Sequence, residues 1–197
     1  MKNWKIWIFL GSIASLLAAF LWLNFRIAAS NTKAEMHITT ASIGEGLPYS
    51  MQRRGKINLA LIGEGPLIAA LQNALVSEIN KAGIGESELV RGIESKYPSP
   101  VLVIKLGSPK LLWTPFFATS QFTIQAGYSS VGNTAFVGET PVTIDNRDGP
   151  ALNMYGEYEV RDSSWGLMSR PGYYQILADY VAQQIVSALK DLYGVST

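Results

Sequence analysis

Ile6 to Leu23 reads IWIFLGSIASLLAAFLWL, 18 residues without a charge, and no other stretch of the chain restricts its fold as tightly. As a helix it covers about 27 Å at ~1.5 Å per residue, close to the hydrocarbon thickness of a bilayer. It is apolar on every side, which a helix half-buried in a soluble domain is not. Trp4 and Trp7 at one end, with Trp22 and Phe25 at the other, are placed as interfacial aromatics. Lys2 and Lys5 precede the run, and Arg26 and Lys33 follow it, partly offset by Glu35. The expectation is a single transmembrane helix with its N-terminus in the cytoplasm and the rest of the chain in the periplasm. A cleaved signal peptide, with Ala28-Ala29-Ser30 as the processing site, is the competing reading. The apolar run is longer than the 7–15 residues usual for one, and Arg26 intervenes. Gly11, Ser15 and Ala19 recur every four residues, a small-residue row on which a partner helix packs closely.

The remaining chain suits one domain. Of 197 residues, 48% are hydrophobic, and a domain of about 140 residues buries enough surface to need no staples. The sequence divides into 1–25, tip and anchor; 26–55, a flexible stalk rich in Ser, Thr, Ala and Gly; and 56–197, the domain. The 16 basic residues nearly balance the 15 acidic ones, which argues against a nucleic-acid partner. There is no cysteine, and the only histidine, His37, falls in the stalk. Disulfides, thiolate metal sites, cysteine nucleophiles, serine triads and zinc sites are thereby excluded from the domain. No metal and no cofactor is expected.

Periodicity sets the elements. Lys56 to Ile62 is a short apolar strand, broken by Gly63-Glu64-Gly65 before Pro66 opens a helix. Leu67, Leu71, Leu75 and Ile79 form its apolar stripe, and Gly83 ends it. Glu88 to Ile93 and Val101 to Leu106 are strand candidates. In Gln121 to Tyr128, Phe122, Ile124, Ala126 and Tyr128 alternate with polar residues and glycine, the pattern of a sheet with one wet face. Thr134 to Val137, Val142 to Ile144 and Leu152 to Val160 continue the strands. A closing helix carries Ile176, Leu177, Tyr180, Val181, Ile185, Leu189 and Leu192 on one face. The expected fold is α+β, a mainly antiparallel sheet with two helices packed on one face, preceded by the transmembrane helix.

This order of strand, helix with Leu67-x-x-x-Leu71-x-x-x-Leu75, antiparallel strands and closing helix from Gly172 to Tyr193 resembles the small α+β domains of Gram-negative envelope proteins. The lipopolysaccharide-assembly lipoprotein family and the N-terminal domain of the Tol translocation protein are examples. The resemblance implies an envelope-assembly role. It carries over no functional residue, and the lipoproteins' acylated cysteine has no counterpart here.

The chemistry-bearing candidates are few. Gly63-Glu64-Gly65 lacks the third small residue of a dinucleotide fingerprint, and Glu64 would repel a pyrophosphate, so it reads as a tight turn. Asp145, Asp148 and Gly149 lack the alternating oxygens of a calcium loop. Glu157, Glu159 and Asp162 are close enough in sequence for acid–base work, although the wet face of a strand gives the same spacing. The aromatic segments stand out: Trp113, Phe116 and Phe117 in a loop-like stretch, and Trp165 and Met168 before the last helix. Exposed, they form an apolar docking surface; buried, they cap the sheet. The leading expectation is a non-catalytic accessory or assembly subunit binding a protein partner or lipid. The alternatives are a module for a small amphiphile or glycan, stacking on Trp113 and Trp165, and a hydrolase using the three carboxylates.

Overall fold

The computed structural model describes residues 4–22, 31–43, 55–90, 92–134 and 152–195, with side chains described for 4–19 and from 55 onward. Ten elements follow one another: α1 (Trp4–Trp22), β1 (Asn31–Ile43), β2 (Gly55–Ile62), α2 (Pro66–Ala82), β3 (Gly85–Leu89), β4 (Val101–Leu106), β5 (Lys110–Trp113), β6 (Phe117–Ser129), β7 (Met154–Trp165) and α3 (Arg170–Tyr193). The expected strands Thr134–Val137 and Val142–Ile144, and the Asp145–Gly149 turn, fall outside the described residues, except Thr134, which is buried and in no strand.

The seven strands form one sheet in the order β1-β7-β6-β4-β2-β3, with β5 paired to β6 beside the end of β4. The fold is α+β, but the sheet is mixed, which corrects the expectation of a mainly antiparallel one. β2 is parallel to both neighbours, β3 and β4; the pairs β4–β6, β5–β6, β6–β7 and β1–β7 are antiparallel. The cause is connectivity. A strand that leaves through a helix returns parallel, because the crossover brings the chain back to its starting end. α2 does this between β2 and β3, and the segment before Val101 does it again on the other side of β2.

α2 begins with Pro66 as its first residue, where a missing N–H costs nothing, and ends at Gly83 in the left-handed conformation. α3 is capped by Ser169, whose hydroxyl accepts from the Gly172 N–H at 3.0 Å. The two helices pack on each other and over one face of the sheet. Leu67, Leu71, Leu75 and Ile79 from α2, Leu177, Val181, Ile185 and Leu189 from α3, and Leu59, Leu102, Ile104, Phe122, Ile124, Tyr128 and Val160 from the strands share one core. A smaller cluster of Ala60, Tyr97, Val101 and Val103 lies on the other face, under the segment that precedes β4. Among the described residues, nothing covers the outer face of β5 and of the adjoining parts of β6 and β7, where Gln121, Thr123, Arg161 and Trp165 are exposed.

Among the described residues no helix is long and apolar enough to cross a membrane, which overturns the expected anchor and, with it, the single-pass placement with a periplasmic domain. α1 covers Trp4–Trp22 and has Lys5 in its first turn. Gly11, Ser15 and Ala19 sit along α1 with open space around Gly11, and the Ser15 hydroxyl donates to the Gly11 carbonyl at 2.9 Å. The segment expected to be a stalk contains β1, paired with β7 along its length apart from an irregularity between Ile38 and Thr40.

Candidate binding surface at the end of the sheet

β5 and β6 are joined by Thr114, Pro115 and Phe116. Thr114 closes this hairpin: its hydroxyl donates to the Phe117 carbonyl at 2.7 Å and accepts from the Phe117 N–H at 3.0 Å. The chain leaving β7 is stitched to the same turn. Gly166 N–H donates to the Phe116 carbonyl at 3.0 Å, and Met168 N–H to the Pro115 carbonyl at 2.9 Å. Four main-chain and hydroxyl bonds thus fix where the aromatic segments stand.

The turn divides those aromatics by strand parity. Phe117 and Trp165 are register partners on the open face, with ring centroids 4.4 Å apart. Phe116, Trp165 and Leu112 are 65%, 59% and 58% exposed. Trp113 pairs with Ala118 and so points to the helix side, where it packs against the core; its indole N–H is buried and has no hydrogen-bond partner among the described residues. Met168 is fully buried. Of the five residues singled out in the sequence, Phe116, Phe117 and Trp165 form one patch, joined by Leu112, while Trp113 and Met168 lie beneath it. Trp113 and Trp165 face opposite ways and cannot line one groove.

Below this patch the open face is polar. Gln121 Nε2 donates to Glu159 Oε1 at 2.6 Å. Arg161 clasps the same carboxylate through Nε and its terminal nitrogen at 3.0 and 2.9 Å. One row further, Gln125 Nε2 and the Tyr155 hydroxyl donate to Glu157 Oε1 at 3.0 and 2.6 Å; burial, with that bond second, pushes the Tyr155 phenol up from its ordinary pKa. A cleft of about 600 Å³ opens here, lined by Lys110, Leu112, Thr119, Gln121 and Arg161, together with Leu111 and Ser120.

Asp162 behaves differently from its sequence neighbours. It lies on the helix side opposite Ser120, 5% exposed. Its carboxylate accepts from the Tyr173 hydroxyl at 2.6 Å and the Ser164 hydroxyl at 3.0 Å. Burial holds its pKa above the usual carboxylate range, outweighing these bonds and one from the Ser163 backbone. The Tyr173 phenol is pushed up in turn, by burial first and then by the Asp162 bond; the Ser120 hydroxyl beside it works the other way, although it makes no aligned hydrogen bond. The three carboxylates considered for hydrolysis are therefore split: Glu157 and Glu159 accept from their neighbours on the open face, and Asp162 is across the sheet. Among the described residues, no cluster of His, Asp and Glu has metal-binding geometry.

Lys110, Gln121 and Arg161 were not singled out in the sequence. The alternation Gln121, Thr123, Gln125 did mark a wet face, but β5 was needed to bring Lys110 beside it. No protein-family model matches the chain, and no curated protein matches it. Two solved structures of the PelC dodecamer from Paraburkholderia phytofirmans superpose at a TM-score of 0.42 with 10% identity, over 80% of this chain and 97% of theirs. A minor lipoprotein from Acinetobacter baumannii superposes at 0.32 with 12% identity, over 71% of this chain and 93% of that one. The likeness is one of outline. It includes a lipoprotein, as the element order led one to expect, and carries no argument on function.

Proposed function

We propose that this protein is a non-catalytic accessory subunit whose β5–β6–β7 tip docks an extended segment of a partner protein. The observation that carries the reading is the exposure of Phe116, Trp165 and Leu112 at one end of the sheet. Large aromatics held rigid and half-solvated are the residues on which interfaces concentrate their energy. The form of the partner follows from β5. Among the described residues it pairs with β6 alone, so its outer edge offers unpaired backbone donors and acceptors, which an added strand satisfies. Apolar side chains of that strand would lie against Leu112 and the Phe117–Trp165 pair. The backbone that carries Phe116 and the chain leaving Trp165 is held by hydrogen bonds, so docking orders little of the main chain and loses little entropy there.

The test is paired substitution. Phe116→Ser and Trp165→Ala leave the core untouched and are expected to keep the thermal unfolding midpoint within about 3 °C. Each is expected to weaken partner retention at least tenfold, the ≥ 2 kcal/mol scale of an interface hot spot. Retention of the same partner at the same stoichiometry by the double variant would contradict the proposal.

A further inference from the structure

The cleft below the tip shares Leu112 with the docking patch and adds a polar chemistry that the patch does not use. Strand register places Lys110, Gln121 and Arg161 in a single row across β5, β6 and β7, about 10 Å wide at ~4.8 Å between strands. The row toward the tip is Leu112, Thr119 and Ser163; the row away from it is Thr123 and Glu159. Three rows along β6 span about 14 Å at ~3.4 Å per residue. A volume of about 600 Å³ is that of a site for a ligand larger than one sugar ring.

The polar groups are prearranged. Glu159 holds both the Arg161 guanidinium, at 2.9–3.0 Å, and the Gln121 amide, at 2.6 Å. Arg161 and Gln121 keep further N–H donors free of that carboxylate, since a guanidinium has five and an amide two. Lys110 is exposed and forms no ion pair among the described residues. Lys110 and Arg161 against Glu159 leave one positive charge. The cleft thus offers the Lys110 ammonium, which no carboxylate among the described residues pairs, N–H donors of Arg161 and Gln121, the Thr119 hydroxyl, and one apolar wall at Leu112.

We propose that this cleft binds a short chain of acidic sugars. The carboxylate of one unit would pair with Lys110 and the free edge of Arg161, as charge-assisted bonds do. Vicinal hydroxyls would meet Gln121, Thr119 and the Glu159 carboxylate, and the C–H face of the next ring would lie on Leu112. A neutral sugar satisfies the hydroxyl contacts but leaves Lys110 unmatched. An apolar acyl chain would strip water from Gln121, Arg161 and Lys110 with nothing in return, which argues against a lipid tail here.

The experiment is calorimetric titration of the full chain, in mild non-ionic detergent, with trigalacturonate, monomeric galacturonate and the neutral trimer maltotriose. The expected result is saturable binding of trigalacturonate, about tenfold or more tighter than either of the others. Lys110→Gln is expected to remove about tenfold of that affinity, and Gln121→Ala a smaller part, both without change in the unfolding midpoint. Three results would overturn the proposal: no binding of trigalacturonate, equal binding of the neutral trimer, or a Lys110→Gln protein that binds as well as the parent. Monomer binding as tight as trimer binding would overturn the sugar-chain form of it. Neither substitution touches Phe116 or Trp165, so loss of sugar binding with partner docking intact, or the reverse, tells the two proposals apart.

Discussion

At the scale of single residues, two buried polar groups carry testable consequences. Asp162 has a raised pKa because its carboxylate is withdrawn from water faster than Tyr173, Ser164 and the backbone compensate. Over the pH range between its unfolded and folded pKa values, the folded state holds a proton that the unfolded state has lost. Stability therefore falls as pH rises through that window, beginning near 4. Urea unfolding followed from about pH 3.5 upward should show this component, and Asp162→Asn should flatten it; an unchanged slope in the variant would place the titration elsewhere. The second pair is Tyr128 and Tyr193, whose hydroxyls bond to each other in the core and are both pushed above their ordinary pKa, mainly by burial. Tyr193→Phe leaves the Tyr128 hydroxyl without this partner and should cost about 1–3 kcal/mol. Replacing both should cost less than the sum of the two single changes, which a double-mutant cycle measures directly. Gly156 shows the same economy of space: a methyl group there would collide with the Tyr158 ring lying over it.

At the scale of elements, legibility tracked the strength of the local pattern. α2 and α3 were readable because their apolar stripes run four turns or more between a Pro-led start and a glycine stop. β6 was readable from a clean alternation, with its wet face marked by Gln121, Thr123 and Gln125. β5 was not: four residues between Pro109 and Pro115 carry no period, and its Leu111 and Leu112 face opposite sides. β7 runs on to Trp165, beyond the Val160 that its apolar residues suggested, because Asp162 and Ser164 occupy core-facing positions where apolar residues were expected. β1 is poor in apolar residues and resembles a linker in composition; only pairing with β7 makes it a strand. α3 is the element on which the core depends most. Leu177 is fully buried, and Leu177→Ala should destabilise the domain by about 2–5 kcal/mol, read as a shift in the urea midpoint. Ser169→Ala, which removes the cap bond to Gly172, should cost about 1 kcal/mol.

At the scale of the whole molecule, strand order decided what local pattern could not. Nothing in the residues of β2 says that β3 and β4 will flank it in parallel; that follows from two crossovers returning the chain to the same end. Among the described residues, the same order leaves one face of β5 and of the adjoining ends of β6 and β7 without a cover, and so creates both the apolar tip and the polar cleft. The candidate site was half legible for this reason: the aromatics were visible as a cluster, whereas their division into outward Phe116, Phe117 and Trp165 and inward Trp113 and Met168 needed the register. A docking surface at the tip is open to site-specific photocrosslinking in cells. With p-benzoylphenylalanine in place of Phe116, or of Glu78 on the far side of α2 as a control, the account predicts one discrete adduct from position 116 and none from 78. Adducts from both positions alike, or from neither, would contradict it.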